Sequence, residues 1–181
     1  MRITADKTLA VIVDVQERLF PHIAEHEKLE RTIPILIEGL KALDVPLIVT
    51  EQYPKGLGTT IEPVRKALGE WYKPLEKISF SCCGDDQFNL QVARYAPQYV
   101  LLAGIETHVC VLQTAIDLLN EGYTPVLVAN CVSSRFLEDK EIALRRMEQA
   151  GVVLTTYESI LFELAQVAGT DTFKRISKLV K

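Results

Sequence analysis

A three-layer α/β/α domain is the fold this sequence predicts, on three observations. Short apolar, β-branched runs recur along its 181 residues, and segments of helical periodicity separate them. The runs are apolar without a break instead of alternating with polar residues. A strand that is apolar on both faces must be covered on both, as in a parallel sheet held between two layers of helices.

The runs, in order, are Leu9-Ala10-Val11-Ile12-Val13, Pro46-Leu47-Ile48-Val49-Thr50, a shorter one at Glu76-Lys77-Ile78-Ser79-Phe80, Val100-Leu101-Leu102-Ala103-Gly104, Val126-Leu127-Val128-Ala129 and Val152-Val153-Leu154-Thr155. Helical stripes fall between them. Ile33, Leu36, Ile37, Leu40 and Leu43 form one; Phe88, Val92 and Tyr95 a second; Leu112, Ala115, Ile116 and Leu119 a third; Ala143, Met147 and Ala150 a fourth. Gly122 and Gly151 stand where C-terminal caps belong, each just before the next strand. The stretch from Glu51 to Trp71 differs. It holds Pro54, Gly56, Gly58 and Pro63 and reads as a long loop leading into a short helix, and long loops in compact domains are often functional.

The length suits a single domain spanning residues 1–181, and a 48% share of hydrophobic residues is enough to bury one core. A net charge of −4, with lysines and arginines scattered, gives a phosphate backbone little to hold, so nucleic acid is excluded as a partner. Lys174, Arg175, Lys178 and Lys181 read as the solvated face of a final helix. No apolar stretch is long enough to span a membrane, and the start of the chain lacks a secretory signal pattern. Four cysteines without Cys-x-x-Cys spacing, and only three histidines, make neither a disulfide framework nor a zinc site. The expected location is a reducing, cytoplasmic one.

Ligands of open parallel sheets bind outside the carboxyl ends of the strands, so the polar residues ending each run are the candidates. The first run ends in Asp14, and the second in Thr50-Glu51-Gln52-Tyr53. The third carries Lys77. The fourth leads through Glu106, Thr107 and His108 to Cys110, and the fifth ends in Asn130-Cys131 and Ser133-Ser134-Arg135. Taken singly, Cys110 reads more readily as a packing residue, Lys77 as a surface lysine, and Asp14 as readily as an N-cap. Together they match the logic of an activated nucleophile: a thiol at a helix N-terminus, a carboxylate to take its proton, and an ammonium tuning both. A thiol of that kind should be alkylated by iodoacetamide well below pH ~8.5. Competing motifs are missing: no second aspartate follows Asp14 at the phosphotransferase spacing, and no dinucleotide fingerprint, P-loop or Gly-x-Ser-x-Gly elbow occurs.

Val13-Asp14-Val15-Gln16 with Leu19-Phe20 resembles the first-strand motif of the isochorismatase-like hydrolases, with one extra residue before the aromatic. Lys77-Ile78-Ser79-Phe80-Ser81 resembles that family's lysine strand, and Gly104-Ile105-Glu106-Thr107-His108-Val109-Cys110-Val111 its cysteine loop. The similarity runs from Thr8 to Thr156. Thr50 to Gly58 and Phe173-Lys174-Arg175-Ile176 are similar to a subgroup, the isochorismatase-domain-containing proteins, some of which carry a ribonuclease label. The resemblance implies a Rossmann-like fold on a six-stranded parallel sheet and a triad of Asp14 as base, Lys77 as pKa tuner and Cys110 as nucleophile. It further implies a cis peptide between Ile105 and Glu106, with the Glu106 and Cys110 N–H groups serving a developing oxyanion, and assembly as a dimer or higher homo-oligomer.

Glu51-Gln52-Tyr53 stands where nicotinamidases of the family place an Asp-x-His metal pair, so no metal and no other cofactor is expected. A retained cysteine points to acyl chemistry on the amide (C–N) bond of a small-molecule substrate. Gln16, Phe20, Glu51 and Tyr53 are the candidates for substrate contact, with Trp71 and Phe136 as further candidate walls. An inactive scaffold binding a small ligand or a protein is the alternative. A ribonuclease lacks support, since neither a basic groove nor paired histidines are apparent.

Overall fold

A computed structural model of the chain describes residues 2–181. Six strands form one all-parallel sheet: β1 (Thr8–Val13), β2 (Leu47–Gln52), β3 (Leu75–Lys77), β4 (Tyr99–Ile105), β5 (Thr124–Ser133) and β6 (Val153–Thr155), in the spatial order β3-β2-β1-β4-β5-β6. The helices are α1 (His26–Ala42), α2 (Pro54–Leu57), α3 (Glu62–Leu68), α4 (Asp86–Tyr95), α5 (Leu112–Asn120), α6 (Leu137–Ala150), α7 (Tyr157–Ala165) and α8 (Asp171–Leu179).

The unbroken apolarity of the strands is what builds three layers. Along β1, Ala10 and Ile12 enter one core while Leu9, Val11 and Val13 enter the other; along β4, Leu101 and Ala103 part in the same way from Val100 and Leu102. The first core is closed by α1, α3, α7 and α8, through residues such as Ile33, Leu68, Leu161 and Ile176. The second is closed by α4, α5 and α6, through Phe88, Leu118 and Met147. Every residue of β1 and β4 is buried. The two glycines expected as caps follow α5 and α6 with φ of 88° and 105°, a region where a side chain costs energy.

Three elements depart from the sequence expectation. β3 ends at Lys77, because Ile78 and Phe80 turn out to solvent, Ile78 being 76% exposed. The Glu51–Trp71 stretch holds two helices, α2 and α3, instead of one, tied back by a bridge between Gln16 and Thr60. β5 does not stop at Ala129. It bulges and re-enters register with Gly104↔Val132 and Ile105↔Ser133. Such irregularities re-aim the residues that follow. Here they carry Ser134 and Arg135 to the carboxyl end of the sheet. No described helix is long and apolar enough to cross a membrane.

Candidate active site

From β1 the chain builds outward through β2 and β3, then returns to place β4 on the other side of β1. The carboxyl ends of β1 and β4 therefore flank the point where strand order reverses, the crevice in which ligands of open α/β sheets bind. Asp14 leaves β1 there, and the segment bearing Cys110 leaves β4. Val13 and Gly104 are register partners, so close that a Cβ on Gly104 would run into the Val13 backbone. Only glycine lets the two strand ends meet this way. Asp14 itself sits at φ 52°, a left-handed conformation that aspartate tolerates better than most residues.

Asp14 is 2% exposed, and both its oxygens are held. Oδ2 accepts from Lys77 Nζ at 2.6 Å and Oδ1 from Thr50 Oγ1 at 2.8 Å. Lys77, equally buried, gives its remaining protons to the carbonyls of Ser79 and Phe80, both at 3.0 Å. The Cys110 thiol donates to Gln52 Oε1 at 3.1 Å. Strand alternation explains this set. Thr50 and Gln52 share a face of β2 with Ile48, on the α4–α6 side; Gln52 pairs in register with Lys77, and Thr50 with Val13. Glu51, one residue out of phase, falls on the opposite face.

Cys110 lies in a wide π-helical turn, Thr107–Val111, that opens α5. Such turns recur at functional sites because they displace a side chain from the regular helical track. The turn starts from Glu106, at φ 57° and ψ 59°. The expected cis peptide between Ile105 and Glu106 is absent: no described peptide bond is cis, and the chain reverses through the left-handed Glu106 instead.

Burial, and next the Asp14 charge, push the Cys110 thiol well above its ordinary value, and Lys77 offsets this only in part. Burial is the largest influence on the Lys77 ammonium and works against it, but the Asp14 carboxylate together with Cys82 and Cys110 holds the lysine pKa above its usual value. Lys77 thus lowers the thiol pKa, but burial and the Asp14 charge together outweigh it. Beside the Asp14–Lys77 ion pair, a second buried negative charge on the sulfur would lack a counter-ion of its own.

Two further buried thiols give a testable consequence. Burial, followed by the Asp14 charge, pushes Cys82 up to about 11, and burial pushes Cys131 up to about 12. A native pKa above the unfolded value means that the folded state holds the proton more tightly. The stabilisation is complete below pH ~8.5 and is lost as pH rises toward the native values, at about 1.4 kcal/mol per pH unit for each thiol. The urea midpoint should therefore fall steeply between pH 9 and 11, and less steeply in Cys131→Ala. An unchanged slope in that variant would remove Cys131 from this account.

Asp14 and Cys110 open onto one cavity of about 270 Å³. Its apolar walls are Leu19, Leu57, Phe80, Ile105 and Val109, and its other polar residues are Gln52, Glu106 and Arg135. A larger groove of about 470 Å³ lies beside the start of β2, between Trp71 and Tyr95. It holds neither thiol nor catalytic-type ion pair, so the smaller cavity is the candidate site. Among the described residues, no three His, Cys, Asp or Glu side chains gather as metal ligands would.

The four residues expected to contact substrate lie elsewhere. Gln16 is fully buried and clamps Gln52 through both backbone groups, donating to its carbonyl at 3.0 Å and accepting from its N–H at 2.8 Å. Glu51 accepts from the N–H and hydroxyl of Thr60 and from Tyr72, bracing the loop after α2. Phe20 is a core residue edge-on to His26. Tyr53 is 53% exposed and faces a separate depression with Lys55 and Ile78. Of the further wall candidates, Trp71 lines the distant groove and Phe136 faces solvent. Gln52 and Arg135 line the cavity instead. Both end apolar runs, and the parity of Thr50 on β2 would have singled out Gln52.

Comparison with known proteins agrees with this fold. A model of the isochorismatase domain matches residues 8–159. Isochorismatase domain-containing protein 2A of Mus musculus is 38% identical over 180 residues, which cover 99% of this chain and 85% of the mouse protein. A solved structure described as the MAR1 ribonuclease of Caenorhabditis elegans superposes with a TM-score of 0.93 at 38% identity, covering 99% of this chain and 92% of that one. The YcaC product of Escherichia coli, described as an octameric hydrolase of unknown specificity, shares the fold with a TM-score of 0.92 at 21% identity, covering 99% and 89%.

Proposed function

The chain belongs to the isochorismatase family of hydrolases, and on that premise we propose that it is a cysteine hydrolase cleaving the C–N bond of a small amide through a thioester on Cys110. One observation carries this reading: a thiol and an ion-paired carboxylate from separate strand ends face the same small cavity at the switch point of the sheet.

Asp14 takes the thiol proton as sulfur adds to the carbonyl carbon, so charge moves onto the substrate oxygen without a free thiolate forming first. Lys77 and Thr50 hold the carboxylate oriented while it waits. The backbone N–H groups of Glu106 and Cys110, at the unpaired start of the helix, receive the oxyanion. Asp14 then returns the proton to the departing amine, water attacks the thioester with Asp14 again accepting a proton, and the thiol is restored. Gln16 acts as a positioning residue by fixing the Gln52 backbone.

The protein works as a homo-oligomer in this reading. Ile78, Phe80 and Phe136 leave exposed apolar surface, Phe80 at the cavity itself, and YcaC, of the same fold, is described as octameric. The ribonuclease description belongs to the nematode protein. Here the cavity offers one guanidinium and five apolar walls, and a net charge of −4 opposes phosphate backbones.

The test is release of amine or ammonia from a panel of small amides by the wild type and by Cys110→Ala. Turnover confined to the wild type is expected. Equal turnover in both would overturn the thiol mechanism, and a tight ligand without turnover would favour the binding-scaffold alternative.

A further inference from the structure

The cavity beside Cys110 carries a second ion pair that the proposed chemistry leaves idle. Glu106, 6% exposed, accepts at Oε1 from the backbone N–H of Arg135 at 3.3 Å and from its Nε at 3.2 Å. Its other oxygen lies 3.7 Å from His108 Nε2, and His108 Nδ1 lies 2.9 Å from Ser134 Oγ. A buried carboxylate thus anchors one edge of the guanidinium, with the His108 imidazole nearby and 3.8 Å from Asp139 Oδ2 as well.

The rest of Arg135 is unengaged. A guanidinium presents five N–H donors in one plane. Among the described residues the two terminal nitrogens of Arg135 make no hydrogen bond, while the side chain is half-exposed and lines the cavity. It is the one cationic side chain on that lining. An arginine whose Nε edge is already fixed has lost much of its rotamer freedom, so binding through its outer edge costs little further ordering. That edge matches a carboxylate, with two parallel N–H···O bonds. The cavity's apolar walls, Leu19, Leu57, Phe80, Ile105 and Val109, suit a short hydrocarbon spacer.

We infer that Arg135 selects the substrate, and that the substrate class is a short aliphatic amide carrying a carboxylate, with its carbonyl at Cys110 and its anion on the Arg135 terminal nitrogens. The assignment of substrate class rests on the amide-hydrolase reading. The carboxylate site does not, because it follows from the clamped guanidinium alone.

Succinamate and succinamide make a matched pair of probes, equal in size and differing in one charge. The wild type is expected to favour succinamate in kcat/KM by about 10- to 100-fold, the usual range for one charge-assisted interaction. In Arg135→Gln that ratio falls to near one, and in Arg135→Lys it is intermediate, because charge is kept and the fork is lost. Binding of succinate, read as a rise in Tm of the wild type that Arg135→Gln abolishes, tests the anion site without turnover. Wild-type turnover of both amides at equal rates would overturn the inference and leave the hydrolase reading standing. No turnover of either, with succinate binding that depends on Arg135, would sink the hydrolase reading and keep the carboxylate site. No turnover and no binding would remove both.

Discussion

Lys77→Met is expected to destabilise the protein by about 3–5 kcal/mol, the usual cost of breaking a buried ion pair from one side. Methionine keeps most of the stem volume, so the loss isolates the ammonium. Both partners are buried, with side-chain exposures of 1% and 3%. Without Lys77, the Asp14 carboxylate keeps only the Thr50 hydroxyl, and the carbonyls of Ser79 and Phe80 lose their shared donor. The penalty is the stranded charge and not the worth of the pair. Lys77→Met combined with Asp14→Asn should therefore recover most of the stability, since asparagine accepts the left-handed backbone at position 14 and carries no charge. Urea unfolding of the wild type, both single variants and the double variant forms a closed cycle. A Lys77→Met loss below about 1 kcal/mol, or a double variant no better than the single, would show that the ion pair is solvated in solution.

Asp14 was legible because it stands where an unbroken apolar run gives way to polar chain, the one place in a parallel sheet where a polar side chain can reach a crevice, whereas Lys77, inside its short run, and Cys110, past the end of its run, were singled out only in combination with it. What that position does not encode is phase. Glu51 and Gln52 are equally polar and equally placed at the end of β2. Only the register of β2 against β1 and β3 decides that Gln52 meets Cys110 while Glu51 turns to Thr60 and Tyr72. Register is a non-local property, fixed by packing of whole strands. Leu19 and Phe20 pose the same problem in a turn, where the aromatic goes to the core and its aliphatic neighbour to the cavity wall. Arg135, though among the residues at a run's end, could not be placed at the cavity for another reason. Its place depends on the irregularity in β5, which inserts residues between Leu127 and Val132 and so moves the end of the strand beyond the apolar run. The fold itself survived these uncertainties, because alternating runs and helical stripes specify layers without specifying which side chain ends facing which.

Asp14→Asn should lower kcat/KM by about 10²- to 10⁴-fold, the contribution of a well-placed general base, while making Cys110 easier to alkylate at neutral pH. The two effects run in opposite directions because Asp14 has two influences on the thiol. As a proton acceptor it is needed when sulfur adds to a carbonyl. As a fixed negative charge it raises the thiol pKa, with burial the larger cause and Lys77 the opposing one. Asparagine removes both influences and leaves the lysine. The thiol pKa then falls, more thiolate is present at a given pH, and iodoacetamide, which needs no proton moved to a base, reacts faster. An amide needs that proton delivered to its leaving nitrogen, and a bare thiolate cannot supply it, so turnover falls. Alkylation rates from pH 7 to 10, followed by mass spectrometry of the Cys110 peptide and set beside amide turnover of the same two proteins, separate the effects. The wild-type alkylation rate should climb across that range without a plateau, since burial and Asp14 hold the thiol proton on through it. If alkylation and turnover instead fall together in Asp14→Asn, the carboxylate is ionising the thiol in the resting site, and proton transfer precedes attack instead of accompanying it.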